Sequence, residues 1–559
     1  MKKEANDMKK FLCAALCLVL ACGSFAGCNR DSDAEAIDPN RTQIYVGVYD
    51  GGLGTDWINA ADDAFEAKYP QYQVIVDPSK AQYDGQTLYD NYSSYRQDIF
   101  FIDYIDDSLY RQFVNSGYLL DIGEAMTEPL TEFREEESVY DKITPFLKDY
   151  YKSEDDTMYA LPWYQASYQI IYDKELFEER LLYVAPDGRW NDGSNKSVGQ
   201  DGVAGTYDDG LPETMSDFFR LMDKMLDSGI IPMTWTGEED YYFTSMLLNL
   251  FAKYEGYNDF TLNFTLEGTD SDLGEVHLAD AYRLRNRQSG KRYALEFAER
   301  LIREKGGTAG QLNYYSSQTF GLAQDNVAAQ NEFLYSIKST NGNPIGMLVE
   351  GTWWEKEARS TFDTMAQKYG DEYAYGTREF GVMPLPIADD QTFTKNTVAC
   401  VSGRSMVFVN SNVKNKTANA ANTSVEEGAM LFLQFLHTDD VLSETTALSN
   451  TPRPYDCEMN DDDLAAMTPY GREYVEYCES SELVFDNIPL HDFLESEGAE
   501  YIGYMRQFRS VINGVEFIGP ARQFRTNSSV TVESWLTGMA LDESEWTENV
   551  EAYLERVGA

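Results

Sequence analysis

Apolar and polar residues alternate along the chain in a way that predicts strands separated by helices. Gln43–Tyr49 alternates as a strand does and stops at the polar turn 50–52. Trp57–Tyr69 carries apolar residues at helical spacing, Val74–Val76 begins a second strand, and Asp98–Ile102 is an apolar run typical of a buried parallel strand. Strands that alternate with helices in this manner predict an open α/β sheet.

The same alternation continues through the middle and end of the chain. Further strands are predicted at Tyr168–Tyr172, Gly346–Val349 and Phe380–Met383. Helices are predicted from Asp173, from Pro212, over Glu426–Leu436 and after Val530. Residues 186–210 are rich in Gly and Asp and predict a loop.

Four candidate ligand-binding residues follow predicted strands in the first part of the chain. They are Tyr49, Asp50, Asp103 and Tyr104. In an open α/β sheet, ligands bind beyond the carboxyl ends of the strands. A carboxylate there can accept charge-assisted hydrogen bonds from two hydroxyl groups of a ligand. The alternative for the two Asp residues is helix capping, because Asp is a favoured N-cap residue.

A second group of candidates is mostly aromatic and lies later in the chain. It comprises Trp163, Tyr164, Trp235, Glu350, Trp353 and Trp354. Adjacent residues on a strand point in opposite directions, so one of the two neighbouring tryptophans should face a cleft and the other the core. We favour the first of the two, Trp353, for the ligand. Packing at a crossover or in the core is the alternative for Trp163, Tyr164 and Trp235, and capping is the alternative for Glu350.

Composition narrows the function classes. The 559 residues carry a formal net charge of −49, which disfavours binding to nucleic acid. The chain has only three His residues, which argues against His-dependent hydrolases and HExxH metalloenzymes, and it has no P-loop or GxSxG motif. Aromatic residues make up 14% of the chain, and their flat faces suit the apolar faces of sugar rings.

The N-terminus predicts export. Lys9-Lys10 precedes the apolar run Phe11–Ala21, which is too short to span a bilayer and is typical of a signal peptide. Phe25-Ala26-Gly27-Cys28 resembles the lipobox of bacterial lipoproteins, with Phe25 where Leu is usual. This resemblance implies that Cys28 carries the lipid and that the mature protein is anchored to the outer face of the membrane. The alternative is a cysteine without lipid.

Cysteine and aspartate residues suggest two further sites. Beyond Cys28 the chain has Cys400, Cys457 and Cys478, and a bridge between the last two is left open by the spacing. The loop from Asp187 to Asp209 has the oxygen-rich composition that calcium prefers, although it lacks EF-hand spacing. A solvated turn without any metal is the favoured interpretation of this loop. No other cofactor is expected.

The order of motifs resembles the extracellular solute-binding proteins of bacterial ABC importers, in the large family that includes maltose- and oligosaccharide-binding proteins. The matching stretches are Asp62–Tyr72, Asp98–Asp121, Met158–Phe177, Pro212–Phe218, Gly346–Trp354, Phe380–Pro386 and Glu426–Leu436. The resemblance implies a periplasmic-binding-protein-like α/β fold (type II), in which two lobes close over a cleft. It also implies chain crossovers near Trp163–Gln169 and Pro384–Pro386.

From this resemblance we expect six segments. They are a signal peptide (1–27), a lipidated Cys28 with a flexible tether (28–41), lobe 1 (42–165), lobe 2 with the Asp-rich insertion (166–384), a return to lobe 1 (385–449), and C-terminal helices mainly on lobe 2 (450–559). The implied function is capture of an extracellular sugar, mainly an oligosaccharide, by a monomer that delivers it to the transmembrane permease subunits of an ABC transporter. The resemblance also implies that this protein is not an enzyme.

Three alternatives remain open from the sequence. Paired carboxylates beside aromatic rings are also what a secreted glycoside hydrolase requires. A binding lipoprotein could instead capture a non-sugar solute such as a peptide or an anion. A lipoprotein adhesin or sensor could keep the same fold without any transporter.

Overall fold

The computed structural model describes residues 36–153, 156–303, 315–316, 324–339, 342–400, 405–486, 490–497 and 499–558. The predicted signal peptide and Cys28 lie outside these residues. At the end of the predicted tether, the Asp38 backbone N–H donates to the Gln73 side chain at 2.9 Å. None of the described helices is both long and apolar enough to cross a membrane.

The described strands and helices are numbered here in chain order. The strands are β1 (Thr42–Val48), β2 (Tyr72–Pro78), β3 (Ile99–Ile102), β4 (Leu161–Pro162), β5 (Tyr168–Asp173), β6 (Tyr183–Val184), β7 (Trp190–Asn191), β8 (Ile231–Thr234), β9 (Gly268–Asp270), β10 (Gly274–Val276), β11 (Ile345–Gly351), β12 (Phe380–Met383), β13 (Asn396–Cys400), β14 (Met406–Val409), β15 (Ser481–Phe485), β16 (Ser510–Ile512) and β17 (Val515–Phe517). The helices are α1 (Asp56–Lys68), α2 (Gly85–Asn91), α3 (Asp107–Asn115), α4 (Gly123–Thr127), α5 (Val139–Lys142), α6 (Pro145–Tyr151), α7 (Lys174–Arg180), α8 (Met215–Asp227), α9 (Asp240–Thr265), α10 (Tyr282–Arg287), α11 (Gly290–Ile302), α12 (Asn326–Ser336), α13 (Trp354–Glu357), α14 (Arg359–Tyr369), α15 (Val425–Leu436), α16 (Asp439–Ser449), α17 (Asp461–Ala466), α18 (Pro469–Glu479), α19 (Asp492–Glu497), α20 (Ala499–Arg506), α21 (Ala521–Thr526), α22 (Val532–Met539) and α23 (Glu543–Val557).

The first lobe is built on a sheet with the strand order β2-β1-β3-β14-β4. β1 runs parallel to β2 and β3, whereas β14 runs antiparallel to β3 and β4. Val48 pairs with Phe101, so β1 and β3 end at the same edge of the sheet. The loops after these strands, which carry Tyr49 and Asp103, therefore lie side by side.

The second lobe is built on a sheet with the order β12-β5-β11-β8. β11 is antiparallel to β5 and parallel to β8. Residues 163–167 lead directly from β4 of the first sheet to β5 of the second, in the region expected for the first crossover. Gly351 pairs with Tyr168, so the end of β11 lies beside this crossover.

The return to the first lobe occurs later than the expected residue 385. The Ile387 N–H donates to the Glu213 carbonyl, which keeps this segment on the second lobe. Farther along, Lys253 of α9 donates to the Asn396 side chain at 2.8 Å. The chain rejoins the first sheet only at β14, because these hydrogen bonds hold β13 against α9.

Residues 456–529, which the sequence could not assign, extend the second lobe from α18 onward, whereas Asn460 and Asp463 at their start hydrogen-bond to Ser443 of α16 on the first lobe. β15 pairs in parallel with β13, which it joins across 80 intervening residues. α18 packs near β12, where the Glu473 carboxylate accepts the Val382 N–H at 2.8 Å. This extension brings β15, α20 and the β16–β17 hairpin to the edge of the cleft between the two lobes.

Candidate ligand-binding cleft

A cavity of about 440 Å³ lies between the two lobes. This volume is within the range of small-molecule binding pockets. Its walls include residues that follow β1 and β3 in the first lobe, residues of β5, α9 and α13 in the second, and residues of β15, α20 and the loop after β17 in the extension. The site is therefore a cleft between lobes rather than a pocket within either of them.

On the first lobe, Asp103 is the central polar group of the cleft. Its carboxylate accepts a hydrogen bond from the Tyr164 hydroxyl, and its backbone carbonyl accepts one from Ser405. Burial raises the pKa of Asp103, although the Tyr164 hydrogen bond and the positive charge of Lys80 oppose that shift. Tyr49 and Lys80 line the cavity beside it. This wall thus offers a carboxylate, an ammonium group and phenol rings.

Aromatic rings cover the facing wall on the second lobe. Trp353 meets Tyr168 edge-on, with ring centroids 5.4 Å apart, and Tyr242 at 6.3 Å. Tyr168 in turn contacts Tyr242 at 4.8 Å and Tyr241 at 6.0 Å. These rings hold one another in fixed orientations, and all four line the cavity.

Glu357 supplies the carboxylate of the second lobe. The side-chain amides of Gln330 and Asn326 donate to it at 2.7 Å and 2.8 Å. Burial raises its pKa, and the hydrogen bonds and Lys80 oppose that shift. Glu357 was not among the residues predicted from the sequence, although it lies four positions after Trp353 in a segment that begins a helix, which places both on one face.

Glu350, which the sequence suggested for this role, is only 1% exposed and lies outside the cavity lining. It accepts hydrogen bonds from the Gln330 side chain at 3.0 Å and from the Gly351 N–H at 2.7 Å. Because Gln330 contacts both carboxylates, Glu350 is placed to orient the amide that holds Glu357. Glu350 therefore stabilises the site through Gln330 and does not contact the cavity.

The two neighbouring tryptophans face different surroundings, although they lie at the start of α13 rather than on the strand from which their alternation was predicted. Trp353 is half-buried at the cavity, whereas Trp354 is fully buried and packs on Phe333, Phe380 and Tyr470. Trp354 is therefore a core residue and has no access to the cleft.

Trp163 and Trp235 also lie in packed surroundings. The Trp163 indole donates to the Ile102 carbonyl at 2.7 Å and stacks on Trp57 at 5.6 Å. It borders a small recess next to Trp353 but does not line the main cavity. Trp235 is fully buried and stacks on Phe243 at 4.5 Å. Both positions match the packing alternatives left open from the sequence.

Of the remaining sequence candidates, Tyr104 and Tyr164 line the cavity and Asp50 does not. Tyr104 is 49% exposed, which places it at the mouth of the cleft. Asp50 lies on the surface of the loop after β1. The structure thus brings together Tyr49, Asp103, Tyr104, Tyr164 and Trp353 of the predicted set.

The two lobes touch where the loop after β1 meets Trp353. Gly52 has φ +115, and a Cβ atom there would lie 2.8 Å from a Trp353 ring carbon and 3.4 Å from the Glu357 Cβ. Nearby, the Lys356 ammonium group lies 3.5 Å from the Asp56 carboxylate. Only glycine fits this contact without displacing the indole, because L-residues also disfavour that backbone conformation.

The cavity continues along α9 toward an end with a different composition. From Tyr241 to Leu248 the helix advances by about 10 Å, at 1.5 Å per residue. Around Leu248 the lining is apolar and is contributed by α9, β13 and β15. The residues of this end are Leu248, Phe260, Phe264, Ala399, Val484 and Phe485.

The Asp-rich loop of residues 186–210 uses its carboxylates for local hydrogen bonds. Asp208 accepts the N–H groups of Gln200 and Asp201 at 2.6 Å and 3.1 Å, and Asp209 accepts that of Gly205 at 2.7 Å. Calcium binding at this loop stays a prediction. The described residues do bring three carboxylates together elsewhere, at Glu255, Asp259 and Asp270.

The body cysteines are not bonded to one another in the structure. Cys400 and Cys478 are buried and Cys457 is partly exposed, and all three are free thiols. Cys457 and Cys478 both line a second cavity of about 350 Å³, which lies behind the crossover.

The fold of this chain is similar to that of several solved structures, although no sequence match is found. No family model matches the sequence, and no curated protein sequence matches it. Among solved structures, the chain is similar to "SBP RafE in complex with raffinose", with a TM-score of 0.51, 12% identity, and coverage of 91% of this chain and 99% of that one. It is also similar to a probable secreted solute-binding lipoprotein from Streptomyces coelicolor, with a TM-score of 0.52, 12% identity, and coverage of 91% and 99%.

A third similar structure comes from work on xylan utilization by the thermophilic bacterium Caldanaerobius polysaccharolyticus. Its TM-score is 0.52 at 11% identity, and the match covers 89% of this chain and 99% of that one. At such low identity the likeness concerns the fold. The chain has the periplasmic-binding-protein-like fold of solute-binding proteins, with two α/β lobes on either side of a cleft.

Proposed function

We propose that this protein is the substrate-binding component of an ABC importer and captures an extracellular sugar. An oligosaccharide is the favoured ligand. The observation that carries the proposal is the cleft itself, in which Asp103 of one lobe and Trp353 and Glu357 of the other line a single cavity. Flat rings stack on the apolar faces of sugars, while buried carboxylates accept hydrogen bonds from sugar hydroxyls.

Capture depends on closure of the two lobes. A ligand can drive closure only if it binds the closed form more tightly than the open form. A sugar that contacts Asp103 on one lobe and Trp353 on the other meets this condition, because both contacts exist together only when the cleft is shut. The contact of Gly52 with Trp353 and the Lys356–Asp56 pair would then stabilise the closed state.

Delivery requires that the closed protein meets a membrane permease. We propose that the mature chain is a monomer held at the outer face of the membrane by lipid on Cys28, with transmembrane permease subunits as its partners. No bond of the sugar is made or broken in this cycle. Globomycin treatment and mass spectrometry of the mature N-terminus test the anchor, and a Cys28→Ser change should release the protein into the medium.

The cleft also keeps a second candidate function open, because Asp103 and Glu357 are carboxylates with raised pKa values in one aromatic-lined cavity. Such a pair is what a glycoside hydrolase uses. The two functions differ in one observable. A binding protein is stabilised by an oligosaccharide that stays intact, whereas a hydrolase releases shorter products that chromatography detects.

The deciding experiment is a thermal-shift screen of neutral oligosaccharides, followed by calorimetry on Trp353→Ala. We expect at least a tenfold loss of affinity, which is about 1.4 kcal/mol, because the exposed face of this ring would no longer be available for stacking. Trp190→Ala is the matched control, since Trp190 is a partly exposed tryptophan of the 186–210 loop. Unchanged affinity in Trp353→Ala with the fold intact would remove this ring from the site.

Small-angle scattering adds an independent test of closure. Saturating sugar should reduce the radius of gyration of the native protein. A sugar that binds without any such change would contradict closure as the means of capture.

A further inference from the structure

The cleft has two ends of different chemistry within one cavity. The first end is the aromatic and polar region between Asp103, Trp353 and Glu357. The second, here called the apolar end, is formed by Leu248, Phe260, Phe264, Ala399, Val484 and Phe485. Each of these six side chains is at most 8% exposed, so they form a wall of the cavity rather than an open surface.

Two polar side chains of α9 beside the apolar end are held by hydrogen bonds within the protein. The Asn249 side chain donates to the Tyr168 carbonyl at 3.0 Å and accepts the Ala399 N–H at 2.6 Å. One turn farther along α9, Lys253 donates to the side chains of Gln200 and Asn396. Neither group lines the cavity, whose polar lining around this end comes from Thr244, Ser245, Asp486, Arg506 and Gln507.

The wall formed by the six apolar residues offers an unsubstituted sugar no side-chain hydrogen-bond partner. A hydroxyl group that leaves water for a site without hydrogen-bond partners loses free energy. An apolar group gains free energy in the same place, because its surface is removed from water. The wall thus selects against a bare sugar ring and in favour of a hydrocarbon group.

The rim of the apolar end comes from the extension of the second lobe. Ile518, just after the β16–β17 hairpin, lines the cavity although it is 52% exposed, and the next residue, Gly519, lies against Thr244, one turn before Leu248 on α9. Arg506 of α20 also lines it and lies 5.1 Å from the Phe264 ring centroid, with its guanidinium group donating to the Asp486 carbonyl. An exposed isoleucine at the mouth of a cavity is available to cover a ligand group that enters it.

We propose that the apolar end is a subsite for an apolar substituent on the sugar, such as an aryl aglycone or an acyl ester. The continuity of the cavity supports this occupant, because a glycan held by stacking at the first end can place its substituent at the second. The inference rests on the proposed sugar-binding function. It narrows the ligand to glycans that carry a hydrocarbon group on the sugar.

Matched pairs of ligands test the subsite. Maltotriose, cellotriose and xylotriose are each compared with their p-nitrophenyl glycosides by calorimetry. We expect the aryl glycoside of the binding sugar to bind at least tenfold more tightly than the free sugar, which is about 1.4 kcal/mol. We expect Ile518→Ser and Leu248→Thr each to reduce that advantage at least threefold, while leaving affinity for the free sugar within twofold of native.

Val515→Ser is the matched control, because Val515 is 53% exposed on the same hairpin and does not line the cavity. It should keep the full advantage of the aryl glycoside. Ile518→Ser is expected to fold because the replaced side chain is half exposed, so the test does not depend on the more buried Leu248.

The outcomes separate the subsite from the function on which it rests. Equal affinity for the free and aryl forms, or an advantage that both variants retain, overturns the subsite and leaves sugar binding in place. No binding of any of the six compounds, together with no stabilisation by any oligosaccharide of the thermal-shift screen, overturns both. Loss of the aryl advantage in both variants, with unchanged affinity for the free sugar, supports the subsite.

Discussion

A buried carboxylate next to the cleft should make the stability of this protein depend on pH. Glu355 lies in α13, is 1% exposed, and accepts hydrogen bonds from the Thr468 hydroxyl at 2.5 Å and the Asn450 side chain at 3.3 Å. Its other carboxylate oxygen has no hydrogen-bond partner among the described residues. Burial raises its pKa from 4.5 to about 7, against the opposing effects of the Thr468 hydrogen bond and the Lys356 charge.

The sign of the effect follows from proton binding. Between pH 4.5 and about 7 the native state holds a proton at Glu355 that the unfolded state has released. The free energy of unfolding therefore falls as the pH rises through this range. Each pKa unit corresponds to 1.36 kcal/mol, so the full loss is about 3 kcal/mol, of which about 2.5 kcal/mol falls between pH 5 and pH 8.5.

Glu355→Gln keeps the size of the side chain and removes its titration. Relative to the native protein, the variant should gain about 2.5 kcal/mol of stability between pH 5 and pH 8.5. Any constant cost of a poorly paired amide cancels in this difference. Urea unfolding followed by tryptophan fluorescence at both pH values measures it.

Glu551→Gln, on the exposed face of α23, is the matched control and should leave the pH dependence of the native protein unchanged. If the native and Glu355→Gln stabilities stay parallel from pH 5 to pH 8.5, the carboxylate is ionised in the folded protein. The reasoning from its burial would then be wrong.

Three further changes test the cleft and its surroundings. Gly52→Ala should weaken sugar binding at least tenfold by calorimetry, since its Cβ would lie 2.8 Å from the Trp353 ring. Gly54→Ala, which also has a positive φ but open space around it, should not weaken binding. Equal effects of the two changes would exclude a role for the contact between lobes. Sugar affinity should fall as the pH drops from 7 to 5, because burial raises the pKa of Glu357 and its protonated form is a weaker acceptor. Glu357→Gln should flatten that pH dependence in the same titration. An identical slope in the variant would assign the pH dependence to another group. Trp354→Ala should lower the free energy of unfolding by about 3–5 kcal/mol in urea, as expected for a large aromatic residue removed from a core, and a loss below 1 kcal/mol would contradict its packing.

Much of the fold could be predicted because the strands carry local signals. The strand predicted at Phe380–Met383 has the same bounds in the structure, and the helix predicted at Glu426–Leu436 begins one residue earlier. Tyr49 and Asp103 could also be placed together, because parallel strands end at one edge of a sheet. These inferences needed only the pattern of apolar residues and a rule about sheet edges.

The rest of the cleft could not be predicted because it depends on contacts between distant segments. β13 and β15 pair across 80 intervening residues, and neither strand carries a local signal that identifies its partner. Glu357 and Tyr242 have local signals, namely helical spacing from Trp353 and an aromatic pair at the start of a helix. Those signals do not single out Glu357 and Tyr242, since many carboxylates and tyrosines of this chain have similar surroundings.

The two ends of the cleft should differ in their effect on closure. Asp103 belongs to the first lobe and Trp353 to the second, so a sugar between them favours the closed state. The apolar end is contributed by α9, β13 and β15; the hydrogen bonds of Asn249 and Lys253 join α9 to β13, and β13 pairs with β15. A group bound there meets nearly the same wall whether the lobes are open or closed.

An apolar substituent should therefore add affinity without adding to the preference for closure, because a ligand shifts an equilibrium only by its differential affinity for the two states. The free sugar and its aryl glycoside should then give the same radius of gyration at saturation, despite their different affinities. p-Nitrophenol alone should bind weakly and leave the lobes open. A smaller radius with p-nitrophenol would place the apolar end between the lobes and contradict this division of roles.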